Sequence, residues 1–260
     1  MRYAVISDAH ANPLALEAAL ADARKRRCDR FVFLGDVTGY GYDVRTTVRL
    51  VRENFDVVLM GNHDSACVGL ESLLEVHLNK NYHVDLMHRD ELDGEDIEWL
   101  KSLPRVHSEA DAAFVHGDFT CPEAWLYITT YQDAAHNLSS RSESVLFSGH
   151  THRALALECS EDGGARLRYP SHSGNDAVTK TIPIKNECRY VVNVGSVGYP
   201  RADRCSTYVI YDAEARRLTF RRIPIDIPAY AEKLVGHGIN LPLWLSDVVA
   251  DSTSTSTIER

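Results

Sequence analysis

The sequence predicts an α/β fold, and three observations point to it. Over the first 65 residues, short runs rich in Val, Ile and Phe alternate with helical stretches. Strand-like runs recur at 112–115 and 144–148, and a series of them follows from residue 153 onward. No internal repeat or break in composition divides the chain, so one domain over residues 1–250 is expected, followed by a disordered Ser/Thr-rich tail at 251–260.

The runs "YAVIS" (3–7), "RFVFL" (30–34) and "DVVLM" (56–60) read as strands buried on both faces. Between the first two lies "NPLALEAALADARKRR". Asn12 suits its N-cap and Pro13 the first helical position, while Leu16, Ala19, Leu20 and Ala23 share one face. "DVRTTVRLVREN" (43–54) reads as a second helix. Two successive strand–helix–strand units imply a parallel sheet. Residues 66–103 read as mainly helical and polar. The strand-like runs at 153–159, 165–169, 189–194, 206–212 and 217–223 suggest a second, more antiparallel sheet, and helical pieces over 227–249 close the fold.

Composition narrows the class. Of 260 residues, 44% are hydrophobic and 25% charged, which suits a globular chain. No window approaches a membrane span, and the chain opens on a strand-like run, so no signal peptide is expected. Six scattered cysteines without a CxxC pair fit a reducing cytoplasm. With 28 basic and 37 acidic side chains the net charge is −9, which disfavours long nucleic acids as partners. An acidic chain can still act on phosphates when metal ions supply positive charge.

The chemistry lies at the strand ends. Asp8 and His10 follow the first run, Asp36 the second, and Asn62 and His63 the third. His116 follows 112–115, and His150 and His152 follow 144–148. A lone "GD" or "GNHD" is ordinary loop chemistry. Five strand ends carrying such groups are another matter, because ligands of α/β sheets gather at the carboxyl ends of strands. Carboxylates with imidazoles suit manganese, iron or zinc rather than calcium. Glycines at 35, 61, 117 and 149 are expected to permit tight turns through positive φ. The histidines at 77, 83, 88, 107, 136, 172 and 237 read as surface or structural residues.

In that order "DAH", "GD", "GNHD", "HG" and "GHTH" resemble the signature of the calcineurin-like metallophosphoesterases. "GDVTGYGYD", "YVVNVGSVGYPR" and "INLPLWLSDVV" are similar to a bacterial and archaeal subgroup of small phosphoesterases, so the resemblance spans nearly the whole chain. It implies a four-layer α/β/β/α sandwich of two mixed sheets. It also implies two divalent metal ions, manganese first, with iron, zinc or nickel as alternatives. Asp8, His10 and His152 would hold one ion, Asn62, His116 and His150 the other, with Asp36 between them. Residues 9 and 11 are alanines where the subgroup commonly has a β-branched residue and a glycine. No arginine follows Asp36 before Arg45, unlike in the protein Ser/Thr phosphatases. "HGDF" replaces the usual "HGS", which puts Asp118 near the metals.

Two such ions acidify a water held between them and clamp a phosphate ester. His63 is then expected to protonate the leaving oxygen, with Asp64 holding its imidazole in the useful tautomer. Arg201, at the end of the loop 193–201, is expected to contact a phosphate oxygen. The expected substrates are small phosphomonoesters, phosphodiesters or nucleotides. The competing readings are a nuclease with the same metal chemistry, which needs a basic groove, and a regulatory protein that binds metal without turnover.

Overall fold

The computed structural model describes residues 1–71, 82–160, 162–169, 179–201, 205–241 and 245. The tail 251–260, His77, His172 and most of 242–250 lie outside the described residues.

Two six-stranded mixed sheets face each other. In the first, β1 (Arg2–Ile6), β2 (Arg30–Phe33) and β3 (Val57–Val58) run parallel. β11 (Cys205–Asp212) pairs antiparallel with β1, and β12 (Arg217–Pro224) and β9 (Lys180–Pro183) extend the sheet. In the second, β5 (Ala112–Val115), β6 (Val145–Ser148) and β10 (Cys188–Asn193) are parallel neighbours. β4 (Val106–Glu109) adds antiparallel to β5, and β7 (Leu155–Ser160) with β8 (Ala165–Tyr169) continues from β10.

This corrects the expectation that the late strands form a sheet of their own. β9, β11 and β12 join the N-terminal sheet, while β10 lies parallel to β6. Strands buried on both faces read alike as apolar runs, and the run does not say which neighbour it pairs with. β4 and β9 were not expected from the sequence. Each is four residues long and, at a sheet edge, mostly not buried, so neither carries an apolar run.

Three apolar layers make the sandwich. Phe114, Phe147, Tyr190, Val209 and Phe220 fill the space between the sheets. Helices α1 (Pro13–Lys25) and α2 (Val44–Asn54) set Leu16, Leu20, Val48 and Val51 against Ile6 and Phe33. Asn12 accepts a hydrogen bond from the Ala15 amide and Asp43 one from Thr46, capping the two helices. Among the described residues three shorter helices follow β3, namely α3 (Asn62–Cys67), α4 (His83–Glu91) and α5 (Gly94–Lys101). On the far side α6 (Tyr131–Ser139), capped by Thr130, packs Ala134 and Leu138 on Leu146 and Val191. α7 (Ile227–Gly236) packs its buried face with Tyr42. Among the described residues no helix is long and apolar enough to cross a membrane.

Candidate metal centre

The loops after β1, β2, β3, β5 and β6 meet at one end of the sandwich. The Asp8 and His10 amides donate to the carbonyls of Gly35 and Asp36, and the Gly149 amide to that of His116. Asp8, His10, Asp36, His150 and His152 all have φ between 45° and 66°, the left-handed region. Asp and His tolerate that region better than most side chains, yet each such residue costs of order 1 kcal/mol. Ala11 shares it at φ 46°, which is why a glycine is at home there. The other glycines need a different account from the one expected. Gly35 has positive φ, but a Cβ on Gly61 would strike the Asp36 carboxylate. Close approach, rather than dihedral freedom, requires glycine at 61.

Two sets of donors arise, Asp8 with His10, Asp36 and His152, and Asp36 with His116 and His150. Within each set the donor atoms lie within 4.8 Å of one another, and Asp36 belongs to both. One oxygen of each aspartate is already engaged, since Asp8 Oδ2 accepts from the His150 amide at 3.1 Å and Asp36 Oδ1 from the His63 amide at 2.9 Å. The other oxygens, Asp8 Oδ1 and Asp36 Oδ2, are buried without a well-formed hydrogen bond, 3.2 Å from His152 Nε2 and 3.3 Å from His116 Nε2. Buried carboxylate oxygens are costly in that state, and a cation is the partner they fit.

Backbone carbonyls fix the imidazoles. His10 Nδ1 lies 2.8 Å from Thr38 O, His116 Nδ1 3.2 Å from Leu34 O, and His152 Nδ1 2.7 Å from Tyr199 O. His150 uses its Nε2 instead, 2.8 Å from Trp125 O. Each ring spends one nitrogen on an outer carbonyl and turns the other inward, the nitrogen whose lone pair metal-binding histidines use. The inward nitrogens nearly touch, His10 Nε2 and His152 Nε2 at 3.0 Å and His116 Nε2 and His150 Nδ1 at 3.2 Å. Asn62 Oδ1 faces His116 Nε2 at 3.1 Å, so its carbonyl joins the second set. Burial lowers His10 to about 4 and, with the His116 charge, His150 to about 3, so both are neutral donors. Against burial, the His116, His63 and His10 imidazoles hold Asp36 well below the usual carboxylate range. Burial also lowers His116, but Asp36 outweighs it and raises the imidazole to about 9, where a cation would replace the proton.

His63 stands beside this set but points elsewhere. Its Nδ1 lies 2.7 Å from Asp85 Oδ2, and Thr38 Oγ1 donates to Asp85 Oδ1 at 3.2 Å. Burial disfavours its charged form, but Asp85 and then Asp36 raise the imidazole above its ordinary pKa. The expectation that Asp64 orients this ring is corrected. Asp64 faces the β2 loop, accepting from the amides of Asp36, Val37, Thr38 and Gly61 at 2.8–3.0 Å. Its carboxylate binds together the two loops that carry Asp36 and Asn62.

The sequence profile of the calcineurin-like phosphoesterase superfamily domain matches residues 1–216. The chain belongs to that superfamily. An uncharacterised protein of Methanocaldococcus jannaschii is 32% identical over 251 residues, 94% of this chain and 95% of that protein. The crystal structure of a metallophosphoesterase from Sphaerobacter thermophilus is 33% identical and superposes with a TM-score of 0.78 over 94% of this chain and 97% of the other. A hypothetical protein from Pyrococcus horikoshii, 16% identical, shares the fold with a TM-score of 0.70 over 95% and 96% of the two chains. This phosphoesterase is an enzyme of a metal-dependent family, and its buried Asp/His cluster could hold the metal.

In the phosphoesterase a pocket of about 300 Å³ opens onto Asp36, Asn62, His63, His150 and His152. Arg201 lines it, with Nη2 3.5 Å from the Tyr40 hydroxyl. Tyr40 stacks on Tyr199 at 4.3 Å, and Tyr82 and Tyr127 complete the rim. Asp118 does not line the pocket. It accepts from Thr120 and Cys121 amides and from Asn137 Nδ2, fixing its own loop to α6. Sequence reasoning missed Asp85 and the tyrosine rim. It took His88 as surface or structural, and His88 is structural: buried, it accepts from the Gly39 amide and meets Gly41 O at 3.1 Å. One signal was present. Asp85 and His88 fall on one buried stripe of α4, and two polar residues on a buried stripe have a task.

Proposed function

We propose that the phosphoesterase hydrolyses small phosphate esters, nucleotides among them, with two divalent cations in the shared donor sets. The observation that carries this reading is Asp36, common to both sets, with Oδ2 buried 3.6 Å from His10 Nε2 of one set and 3.3 Å from His116 Nε2 of the other. Asp8, His10 and His152 would hold one ion and Asn62, His116 and His150 the other. Manganese is the first choice, with iron, zinc or nickel as alternatives, because the donors mix oxygen with imidazole nitrogen. When bound, such a pair acidifies water and neutralises charge on the phosphoryl oxygens.

The chain's own residues do the rest. Arg201 projects into the pocket, where its guanidinium can bind a non-bridging phosphate oxygen. His63 lines the pocket with its Nδ1 held by Asp85, so its Nε2 would carry the proton that the leaving oxygen takes up. Asp85 acts through His63 as a positioning residue, fixing its tautomer. Asp64 keeps the β2 and β3 loops in register.

The test is hydrolysis of p-nitrophenyl phosphate and bis-p-nitrophenyl phosphate with manganese, alongside Asp36→Ala. Metal-dependent turnover that disappears in the variant is expected, and the preferred ester separates monoesterase from diesterase. No cleavage of either ester with manganese, iron, zinc or nickel would overturn the reading.

A further inference from the structure

A basic groove lies at the opposite end of β1 from the metal centre. β1 begins at Arg2 and leads to Asp8, so the two lie on the order of 20 Å apart along an extended strand. The groove encloses about 460 Å³. Its cations are Arg2, Lys25, Arg26, Arg27, Arg217 and Arg221. Lys25, Arg26 and Arg27 are exposed at the end of α1, and the others rise from β1 and β12.

Strand alternation explains why this face is polar. Along β12, Leu218 and Phe220 enter the core between the sheets, so Arg217, Thr219 and Arg221 face the other way. On β11 the same outer face carries Tyr208 and Ile210, which pack with α1 in the helix-side core. Beyond α1 the face becomes a floor of arginine and threonine. Thr181 of β9 and Thr219 bring their hydroxyls to 3.2 Å of each other.

The arginines are held in place by few acids. Asp22 accepts from Arg221 Nε and Nη2 at 2.8 and 2.9 Å and lies 3.5 Å from Arg26 Nε. Asp212 accepts from Arg2 Nε and from Arg217 Nη2, both at 3.1 Å. Asp29 accepts from the Arg2 amide at 2.9 Å. Six cations therefore meet three carboxylates, in a molecule whose acidic side chains outnumber the basic ones, 37 to 28. The pairing orients the guanidiniums without neutralising the groove, because Asp22 and Asp212 each serve two arginines.

We infer that this groove is a second binding site of the phosphoesterase, for a compact polyphosphate chain such as a nucleoside triphosphate or inorganic tripolyphosphate carries. Fixed guanidiniums suit phosphate oxygens, and threonine hydroxyls donate to those that remain. The volume suits a small ligand, whereas a long nucleic acid needs a basic track leading to the catalytic pocket. The groove instead sits at the far end of the sheet, so its occupant is not the ester being cleaved.

The test titrates the manganese-loaded full chain by calorimetry with a β,γ-imido analogue of ATP, tripolyphosphate and AMP, keeping manganese in excess of ligand. The comparison is the triple variant Arg26→Gln, Arg27→Gln, Arg217→Gln, whose side chains are at least partly solvent-exposed and outside the metal centre. The wild type is expected to bind one more equivalent of the triphosphate ligands than the variant, or to bind them about 30-fold more tightly. Hydrolysis of p-nitrophenyl phosphate should be the same in both. Equal binding by tripolyphosphate and the ATP analogue supports the site with the phosphate chain as the recognised part. Binding of the analogue alone supports it with a nucleotide as the source. Equal stoichiometry and affinity in wild type and variant would overturn the site. AMP binding as well as the analogue, or a short single-stranded RNA binding more tightly, would overturn the compact polyphosphate as its ligand. Lys25→Glu with Arg27→Glu, which leaves β12 untouched, repeats the test if the triple variant fails to fold.

Discussion

The two donor sets that share Asp36 differ in how they face solvent. Asp8 and His10 are fully enclosed, and of their set only Asp36 and His152 reach the pocket wall. In the other set His150 and Asn62 line the pocket, and only His116 is sealed behind them. An enclosed set has the character of a holding site, and a set with an open side has the character of a working one. The proposed pair of ions should therefore be unequal, one retained tightly and one exchangeable and nearer the substrate.

The largest expected effect would break the comparison outright. Asp36→Ala removes the shared carboxylate, and kcat/KM should fall by about three orders of magnitude or more. Elemental analysis should find metal lost from both sets. Retention of a full complement would mean that Asp36 is not shared. His150→Ala sharpens the comparison, because it opens only the exposed set. One ion per chain should remain, with activity down on the order of 100-fold. If both ions leave, the sets are not independent holders.

A smaller effect separates proton chemistry from metal binding. His63→Ala should lose roughly 100-fold in kcat on an ester with a poor leaving group, at unchanged metal content. Asp85→Asn should lose about tenfold in kcat with KM and metal unchanged, and Asp85→Glu should recover part of it. Wild-type turnover in His63→Ala on such an ester would end its role as the acid. Arg201→Ala gives the smallest change, KM up by about tenfold with kcat nearly constant. An unchanged KM on both nitrophenyl esters would take Arg201 out of the pocket's function.

How far the sequence reaches depends on whether a signal is local. Asp8, Asp36, Asn62, His116, His150 and His152 each follow an apolar run, so a reader of strands finds them in order. Asp85 follows no strand. It reaches His63 from a helix 22 residues later, and only packing tells a buried helix face from a solvated one. Asp64 shows the converse error, because adjacency in sequence suggested contact with His63. At the start of α3 consecutive side chains diverge, and Asp64 turns to the β2 amides. Sheet membership was equally hidden. The β1–β11 pairing, Tyr3 opposite Tyr211, spans more than two hundred residues, and neither strand's pattern names its partner. Helix α1 was legible because Asn12 and Pro13 act within their own turn, and Asp43 caps α2 in the same local way.

The left-handed backbone at Asp8, His10, Asp36, His150 and His152 has a consequence for anyone evolving this protein. A glycine at any of these five positions would relieve backbone strain of order 1 kcal/mol, while at Asp8 or Asp36 it would leave the buried His150 or His63 amide without its acceptor. Stability therefore sets strain relief against lost buried contacts at these positions, and selection for heat resistance alone does not protect the proposed site. A thermostability campaign on this scaffold has to score activity in every round, or its survivors will be sturdier and inert.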